Sequence, residues 1–176
     1  MAGSPILLKK LVVNDAASLS AIAIKAYCDH YLHLWDDGGD WYIEKCFSIS
    51  NLEEELADPN AVFYLVFDKD EAVGFLKINI DAAFGGFSKK ASMELERIYL
   101  TRDASGKGIG SYLLRWFFDF AIERNKKLVW LKVMDSSLPA INFYKRHGFE
   151  ICGSARLDFV QMKEEFRGMI LMRKRL

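Results

Sequence analysis

The feature that most constrains the fold is a strand, a glycine-rich turn and a helix in succession between residues 93 and 124. The strand reads MELERIYL (93–100), and residues 109–124 carry apolar side chains at helical spacing. Between them, the stretch SGKGIG (105–110) places three glycines in five positions. Glycine lets the backbone approach a ligand closely, and the first turn of a helix offers unpaired N–H groups. The sequence therefore predicts an anion site at this turn, suited to a phosphate or pyrophosphate.

Two well-known phosphate-binding patterns fail at this turn. The P-loop pattern GxxxxGK[ST] is absent, because Lys107 follows the first glycine and no Gly-Lys-Ser/Thr stands at the required spacing. The dinucleotide pattern GxGxxG would need glycine where Ser111 or Leu113 stands. Taken alone, the stretch is equally compatible with a tight turn that starts a helix and binds no ligand.

The order of predicted elements gives the fold class. Other strands are predicted at 6–13, 61–67, 72–80, 128–134, 149–160 and 169–176, so the order is β-α-α-β-β-β-α-β-α-β-β. Consecutive strands in the middle favour an α+β fold with one mixed, mostly antiparallel sheet of six to seven strands flanked by helices. Because no repeat or linker interrupts the 176 residues, we expect a single domain spanning residues 1–176.

Composition narrows the class of partner. The net charge is zero, so no basic surface suggests nucleic acid, and no apolar run reaches the ~18 residues of a membrane span. The three cysteines form no CxxC pair. This pattern predicts neither a metal site nor a disulfide framework, and it favours a reducing, cytoplasmic location.

Two motifs in order resemble the GNAT family of N-acetyltransferases. The family signature [QR]xxGx[GA] falls on Ser105, Gly106, Lys107, Gly108, Ile109 and Gly110. A second family element, Ala-x-x-Phe-Tyr followed by Gly-Phe, is AINFYKRHGF (140–149). The signature's first Gln or Arg is Ser105 here, so backbone amides, with Lys107 as a source of charge, would hold the pyrophosphate. Stretches such as IKAYCDHYLHLWDD and GFLKINID look like those of bacterial PaiA-type spermine/spermidine N-acetyltransferases.

The resemblance implies acetyl-CoA as cosubstrate, no metal, and direct attack by a primary amine in a ternary complex. An amine with a pKa of ~10.4 is mostly protonated at neutral pH, so a base must take its proton. Glu94 and Glu96 lie two apart on a strand and point to one side. Family bases lie on this strand, so at least one of them is expected to act as base or to bind substrate. Solvent-facing glutamates paired with lysines are the alternative.

Tyr144 takes the place of the family's general acid, which would protonate the departing CoA thiolate. A core tyrosine on a short helix is the alternative. By resemblance, Leu100 would offer its amide to the thioester carbonyl. The expected cofactor contacts are Ile98, Tyr99, Leu100, Ser105, Gly106, Lys107, Gly108, Ile109, Gly110, Ser111, Asn142 and Tyr144.

The acceptor is expected to be a small amine, with a polyamine such as spermidine or spermine as the leading candidate. Acidic stretches in the N-terminal half would attract a polycation. Tyr31, Trp35, Asp36 and Asp37 would wall the acceptor site, although core packing and ordinary solvated charge account for them equally well. Peptide and aminoglycoside acceptors, and a non-catalytic acetyl-CoA sensor, remain alternatives. A homodimer is expected from the family's habit.

Overall fold

The chain folds into five helices and seven strands within residues 6–176, the part that the computed structural model describes. The strands are β1 (Ile6–Lys10), β2 (Ala61–Asp68), β3 (Glu71–Asn79), β4 (Ser92–Leu100), β5 (Leu128–Met134), β6 (Glu150–Arg156) and β7 (Gly168–Arg175). The helices are α1 (Ala16–Cys28), α2 (Asp40–Phe47), α3 (Ile49–Ala57), α4 (Ile109–Ile122) and α5 (Leu138–Arg146). The predicted α+β class is confirmed.

The seven strands form one mixed sheet in the order β1-β2-β3-β4-β5-β7-β6. The pairs β1/β2, β5/β7 and β7/β6 are antiparallel. The strands β4 and β5 are parallel, and their register runs from Ser92 opposite Leu128 to Glu94 opposite Trp130. The predicted mixed, mostly antiparallel sheet is therefore confirmed, at the upper end of the predicted strand number.

Three helices separate β1 from β2, where the predicted element order gives two. Ser48 alone separates α2 from α3, and its backbone is extended (φ −61°, ψ 148°). The Asn51 side-chain amide donates to the Glu44 and Lys45 carbonyls at 3.1 and 2.8 Å. Those carbonyls end α2, so the side chain satisfies acceptors that the interrupted helix leaves open.

The chain divides into two compact units. The first comprises the residues up to Ile78 and Arg97–Gly110, and the second comprises Asn79–Glu96 and Ser111–Leu176. The fully buried side chains of the first unit include Leu19, Phe47, Leu52, Phe63 and Phe75, and those of the second include Met93, Leu113, Leu114, Phe117 and Leu128. Within residues 6–176, no helix combines the length and apolar character needed to cross a membrane.

Candidate functional site

The glycine turn has the backbone that its sequence predicts. Gly106 and Gly108 are exposed and left-handed (φ +77° and +81°), whereas Lys107 between them is not. Such alternation directs successive N–H groups toward one side, an arrangement that can bind an anion. A Cβ on either glycine would meet no atom within 4 Å, so backbone conformation rather than packing requires glycine here. The α4 helix begins directly afterwards at Ile109, with its unpaired N–H groups.

The side chains around this turn agree with a backbone-built site. The Ser105 hydroxyl donates to the Thr101 carbonyl at 3.4 Å, which turns it toward its own chain. Lys107 is exposed, Ile109 is buried and Ser111 is half-buried in the first turn of α4. The ammonium of Lys107 is therefore the charged group that the turn itself presents to solvent.

The end of α1 fixes the segment that leads into the turn. His30 Nε2 donates to the Leu100 carbonyl at 3.0 Å. The Asp29 carboxylate accepts the Arg102 backbone N–H at 2.8 Å, and the Arg102 guanidinium donates to the Asp29 carbonyl. Sequence reasoning missed Asp29 and His30, because no local pattern signals partners about 70 positions away.

Close approach of β3 to β4 explains one further glycine. A Cβ on Gly74 would collide with the Tyr99 carbonyl oxygen and lie 2.7 Å from Leu100 Cδ2. The absence of a side chain at this position lets the strands meet, so Gly74 shapes the backbone that carries Tyr99 and Leu100.

Four tyrosines, Tyr27, Tyr31, Tyr42 and Tyr99, form a tyrosine cluster in the first unit. Ring centroids lie 4.8 Å apart for Tyr27 and Tyr42, 5.1 Å for Tyr27 and Tyr31, and 5.4 Å for Tyr31 and Tyr99. Burial raises the pKa of Tyr27, Tyr42 and Tyr99, so these hydroxyls stay protonated at neutral pH. The cluster therefore combines packed aromatic rings with neutral hydroxyl groups.

Two of the predicted acceptor residues belong to this cluster or pack on it. Tyr31 is half-buried, and Trp35 is buried, with its indole N–H donating to the Tyr27 hydroxyl at 2.7 Å. Trp35 also stacks on Tyr42, with ring centroids 4.9 Å apart. Trp35 thus supports the cluster from within, while Tyr31 contributes part of its surface.

The predicted acidic residues divide into solvated and structural ones. Asp36 and Asp37 are exposed. The Asp37 carboxylate accepts the N–H groups of Trp41 at 2.8 Å and Gly39 at 2.9 Å, which lowers the pKa of Asp37. These bonds satisfy backbone donors at the start of α2. Asp37 therefore stabilises a helix end, a role signalled in sequence by an Asp before Gly-Gly and a helix.

One carboxylate of the acidic run at 53–55 binds two buried cations. Glu55 accepts both Nη groups of Arg97 at 2.9 and 3.1 Å and Lys77 Nζ at 2.9 Å. Arg97 and Lys77 are each only 8% exposed. We call these three residues the Glu55 cluster. The Glu55 carboxylate is therefore ion-paired to residues of the same unit, whereas the Glu53 and Glu54 side chains are exposed.

The second unit contains the predicted glutamates, bridged by an asparagine. Asn79 Nδ2 donates to Glu94 Oε2 at 2.8 Å and to Glu96 Oε2 at 2.7 Å. Both carboxylates therefore lie on one side of β4, as their spacing predicts. Glu94 is only 7% exposed, and Lys132 Nζ lies 3.5 Å from its Oε1. The alternative of two solvent-facing glutamates does not describe Glu94, although the lysine pairing it predicted is present.

Tyr144 occupies the buried side of α5. Its ring packs edge-on against Phe149 with centroids 5.7 Å apart, and it also contacts Phe143 at 5.3 Å. Asn142 lies two positions earlier, about 200° around the helix, and is exposed. The helix thus presents these two predicted site residues in different directions.

A lysine secures the end of α5. Lys174 Nζ donates to the His147 carbonyl at 3.0 Å and lies 4.9 Å from the centre of the Phe118 ring. Gly148 follows with a left-handed backbone (φ +86°), and a Cβ there would collide with Lys174 Nζ. The Gly-Phe of the second motif therefore ends the helix that carries Tyr144.

The chain belongs to the GNAT family. The model of the Acetyltransferase (GNAT) family matches residues 23–149, which include the glycine turn, both glutamates and Tyr144. The predicted family is confirmed, and the predicted enzyme class, an acyltransferase, is the class of that family. Within residues 6–176, no group of three or more His, Cys, Asp or Glu side chains could hold a metal ion.

Two curated relatives are named for different acceptors. The streptothricin acetyltransferase of Streptomyces lavendulae is 35% identical over 85 residues, covering 45% of this chain and 45% of that protein. The spermine/spermidine N(1)-acetyltransferase of Bacillus subtilis strain 168 is 26% identical over 95 residues, covering 53% and 61%. The chain thus spans less than two thirds of the length of either relative.

A solved structure matches over almost the whole chain. The PaiA N-acetyltransferase from Thermoplasma acidophilum, in complex with coenzyme A, superposes with a TM-score of 0.75. It is 20% identical, and the match covers 98% of this chain and 99% of that one. At this identity the likeness confirms the fold.

Proposed function

We propose that the protein transfers the acetyl group of acetyl-CoA to a primary amine of a small cationic acceptor. The observation that carries this proposal is the left-handed pair Gly106 and Gly108 at the start of α4, inside the family match. The backbone N–H groups of residues 106–111 would hold the pyrophosphate, with Lys107 adding charge. The coenzyme A bound to the Thermoplasma structure supports this assignment. The contacts proposed for Ile98, Tyr99, Leu100 and Asn142 rest on the family resemblance.

The proposed chemistry is direct attack on the thioester. The amine nitrogen forms a bond to the acetyl carbon, the carbon–sulfur bond breaks, and the amine proton passes to a carboxylate. We assign that carboxylate to Glu96, because Glu94 is more deeply buried and faces Lys132. The Tyr144 hydroxyl supplies the proton that the leaving sulfur takes up, since a phenol and a thiol have ordinary pKa values of ~10 and ~8.5. The Leu100 N–H would stabilise the negative charge on the carbonyl oxygen.

We propose a polyamine as the acceptor, which places the protein among PaiA-type enzymes. Tyr31, Tyr42 and Tyr99 of the tyrosine cluster are half-buried, and aromatic faces bind ammonium groups by cation–π attraction. Asp36, Asp40, Glu53 and Glu54 are exposed and would attract a polycation. The name of the Bacillus relative supports this acceptor.

A second candidate acceptor is an amine of a streptothricin-type antibiotic. The support is the 35% identity to the Streptomyces enzyme, which exceeds the identity to the polyamine enzyme. Both acceptors are cationic amines, so the aromatic and acidic residues named above suit either one.

Three further proposals rest on the sequence. We propose one functional domain, a homodimer and a cytoplasmic location. The location is supported by the thiols of Cys28, Cys46 and Cys152, none of which forms a disulfide.

The test is thiol release from acetyl-CoA at pH 8 with spermidine, spermine, streptothricin, aminoglycosides and lysine peptides. Release with spermidine or spermine is the expected result. Y144F should lower kcat about 100-fold or more while the Kd of CoA stays within twofold. Y64F, the same change on β2, should leave both unchanged.

The other outcomes distinguish the candidate acceptors from one another and from a non-catalytic function. Release with streptothricin alone would replace the polyamine by the second acceptor, and release with peptides alone would exclude both. Coenzyme A binding without release across the panel would favour a non-catalytic acetyl-CoA sensor.

A further inference from the structure

Asn79, at the end of β3, holds two carboxylates with one amide. Its nitrogen lies 2.8 Å from Glu94 Oε2 and 2.7 Å from Glu96 Oε2. A side-chain amide has two donor hydrogens, so each carboxylate takes one of them. The geometry uses the full donor capacity of Asn79 on Glu94 and Glu96.

The bridging group is a neutral amide, and this determines the charge of the carboxylate pair. Two carboxylates close together repel each other, and a donor shared between them offsets that repulsion. A lysine or arginine in its place would add a positive charge, whereas an amide adds none. The bridge therefore fixes Glu94 and Glu96 in place and leaves their negative charge intact.

The bridge contacts one defined oxygen atom of each glutamate. Asn79 binds Oε2 of both glutamates, and Lys132 Nζ approaches Oε1 of Glu94. Glu96 is half-buried, whereas Glu94 is buried. Asn79 thus holds the more accessible carboxylate in one orientation, with the buried one as its second anchor.

We propose that Asn79 is a positioning residue of the acetyl-transfer reaction, which aims Glu96 at the acceptor amine without neutralising it. The proposal rests on the proposed function, since it assigns the proton of the amine to Glu96. A proton acceptor must lie within hydrogen-bond reach of the amine, so freeing its side chain from the bridge lowers the fraction of molecules in the reactive geometry.

The test compares three substitutions of Asn79 in the full chain. N79D has the same shape but no amide donors and adds a third carboxylate, so kcat should fall about tenfold to hundredfold. N79L lacks the donors but adds no charge, and its kcat should fall by less. N79Q keeps both donors on a longer side chain and should retain the most activity. The KM for acetyl-CoA should stay within twofold throughout.

Controls separate positioning from stability. N60D makes the same chemical change in the turn before β2 and should leave kcat unchanged. The melting temperature of each variant identifies any loss of folded protein. A purely structural role for Asn79 would lower the melting temperature while the kcat of the folded protein stayed within twofold, and this result would overturn the proposal.

A second readout needs no turnover. The two Nδ2 proton resonances of Asn79 in the wild-type protein should shift in E94Q and in E96Q, because each substitution replaces one acceptor. Resonances unaffected by both changes would refute the bridge. Wild-type protein that acetylates no amine would refute the proposed function, and the amide resonances would still decide whether Asn79 holds both glutamates.

Discussion

The Glu55 cluster and the bridged glutamates differ in their charge: the first has more cations than carboxylates, and the second has more carboxylates than cations. In the first unit, one carboxylate binds the buried cations Lys77 and Arg97. In the second unit, two carboxylates share a neutral amide, and the nearby Lys132 side chain is 46% exposed. A carboxylate that is ion-paired to buried cations supports the structure of the fold. Where a neutral amide joins two carboxylates, we expect the carboxylates to serve the proposed reaction.

The largest effect is expected at the bridged glutamates. E96Q should lower kcat about 100-fold or more, because the glutamine amide that replaces the carboxylate cannot take the amine proton. Its melting temperature should stay close to that of the wild type, since glutamine keeps the shape of the side chain. Steady-state kinetics at pH 8 with the best acceptor measure the effect, with E123Q, at an exposed position directly after α4, as control.

The same experiment assigns the base. E94Q should lower kcat by less than E96Q, because Glu94 faces Lys132 and is more deeply buried. A larger loss in E94Q than in E96Q would exchange the two roles.

The Glu55 cluster should show the opposite behaviour. E55Q removes the carboxylate that binds two buried cations, so the free energy of unfolding should fall by about 2–3 kcal/mol. This loss is smaller than that expected for a fully buried ion pair, because the Glu55 side chain is 26% exposed. The kcat of the folded protein should change little. Urea unfolding measures the loss, with E54Q as the matched control on the neighbouring exposed residue. A stability equal to that of E54Q would show that solvent compensates the cations.

At the end of α5, one contact should affect both the stability of the fold and the placement of Tyr144. G148A should lower the free energy of unfolding by about 1–2 kcal/mol, since alanine is strained at φ +86° and its Cβ displaces Lys174. It should also lower kcat a few-fold, because α5 carries Tyr144.

The control for this change is G86A, at φ +85° with open space around the added Cβ. Alanine at this position is strained by the same positive φ but collides with no other atom, so kcat should be unchanged. Equal kcat losses in G148A and G86A would refute a link between Lys174 and the placement of Tyr144.

Local signals made much of the fold predictable. The turn at Gly106 and Gly108 needs left-handed backbone that only glycine adopts readily, and the sequence shows this directly. Strand spacing likewise predicted that Glu94 and Glu96 share a side.

Tertiary contacts account for what the sequence could not predict. Glu53, Glu54 and Glu55 are chemically identical in the sequence, and only folding brings Lys77 and Arg97 to the last of them. Asn79 lies 15 and 17 positions before its two partners. Asparagine at the end of a predicted strand is common in turns, so nothing local marks it as a bridge.

The position of β7 has a consequence for synthesis of the chain. The β7 strand follows β6 in sequence but lies between β5 and β6 in the sheet. A growing chain therefore carries one open edge of β5 and an unpaired β6 until Gly168–Arg175 emerge. The ribosome adds about 5–20 residues per second, so the open edge of β5 persists for roughly 2–8 s. Open strand edges template aggregation, so substitutions in β7 should lower the yield of protein from cells before they alter the enzyme that is recovered.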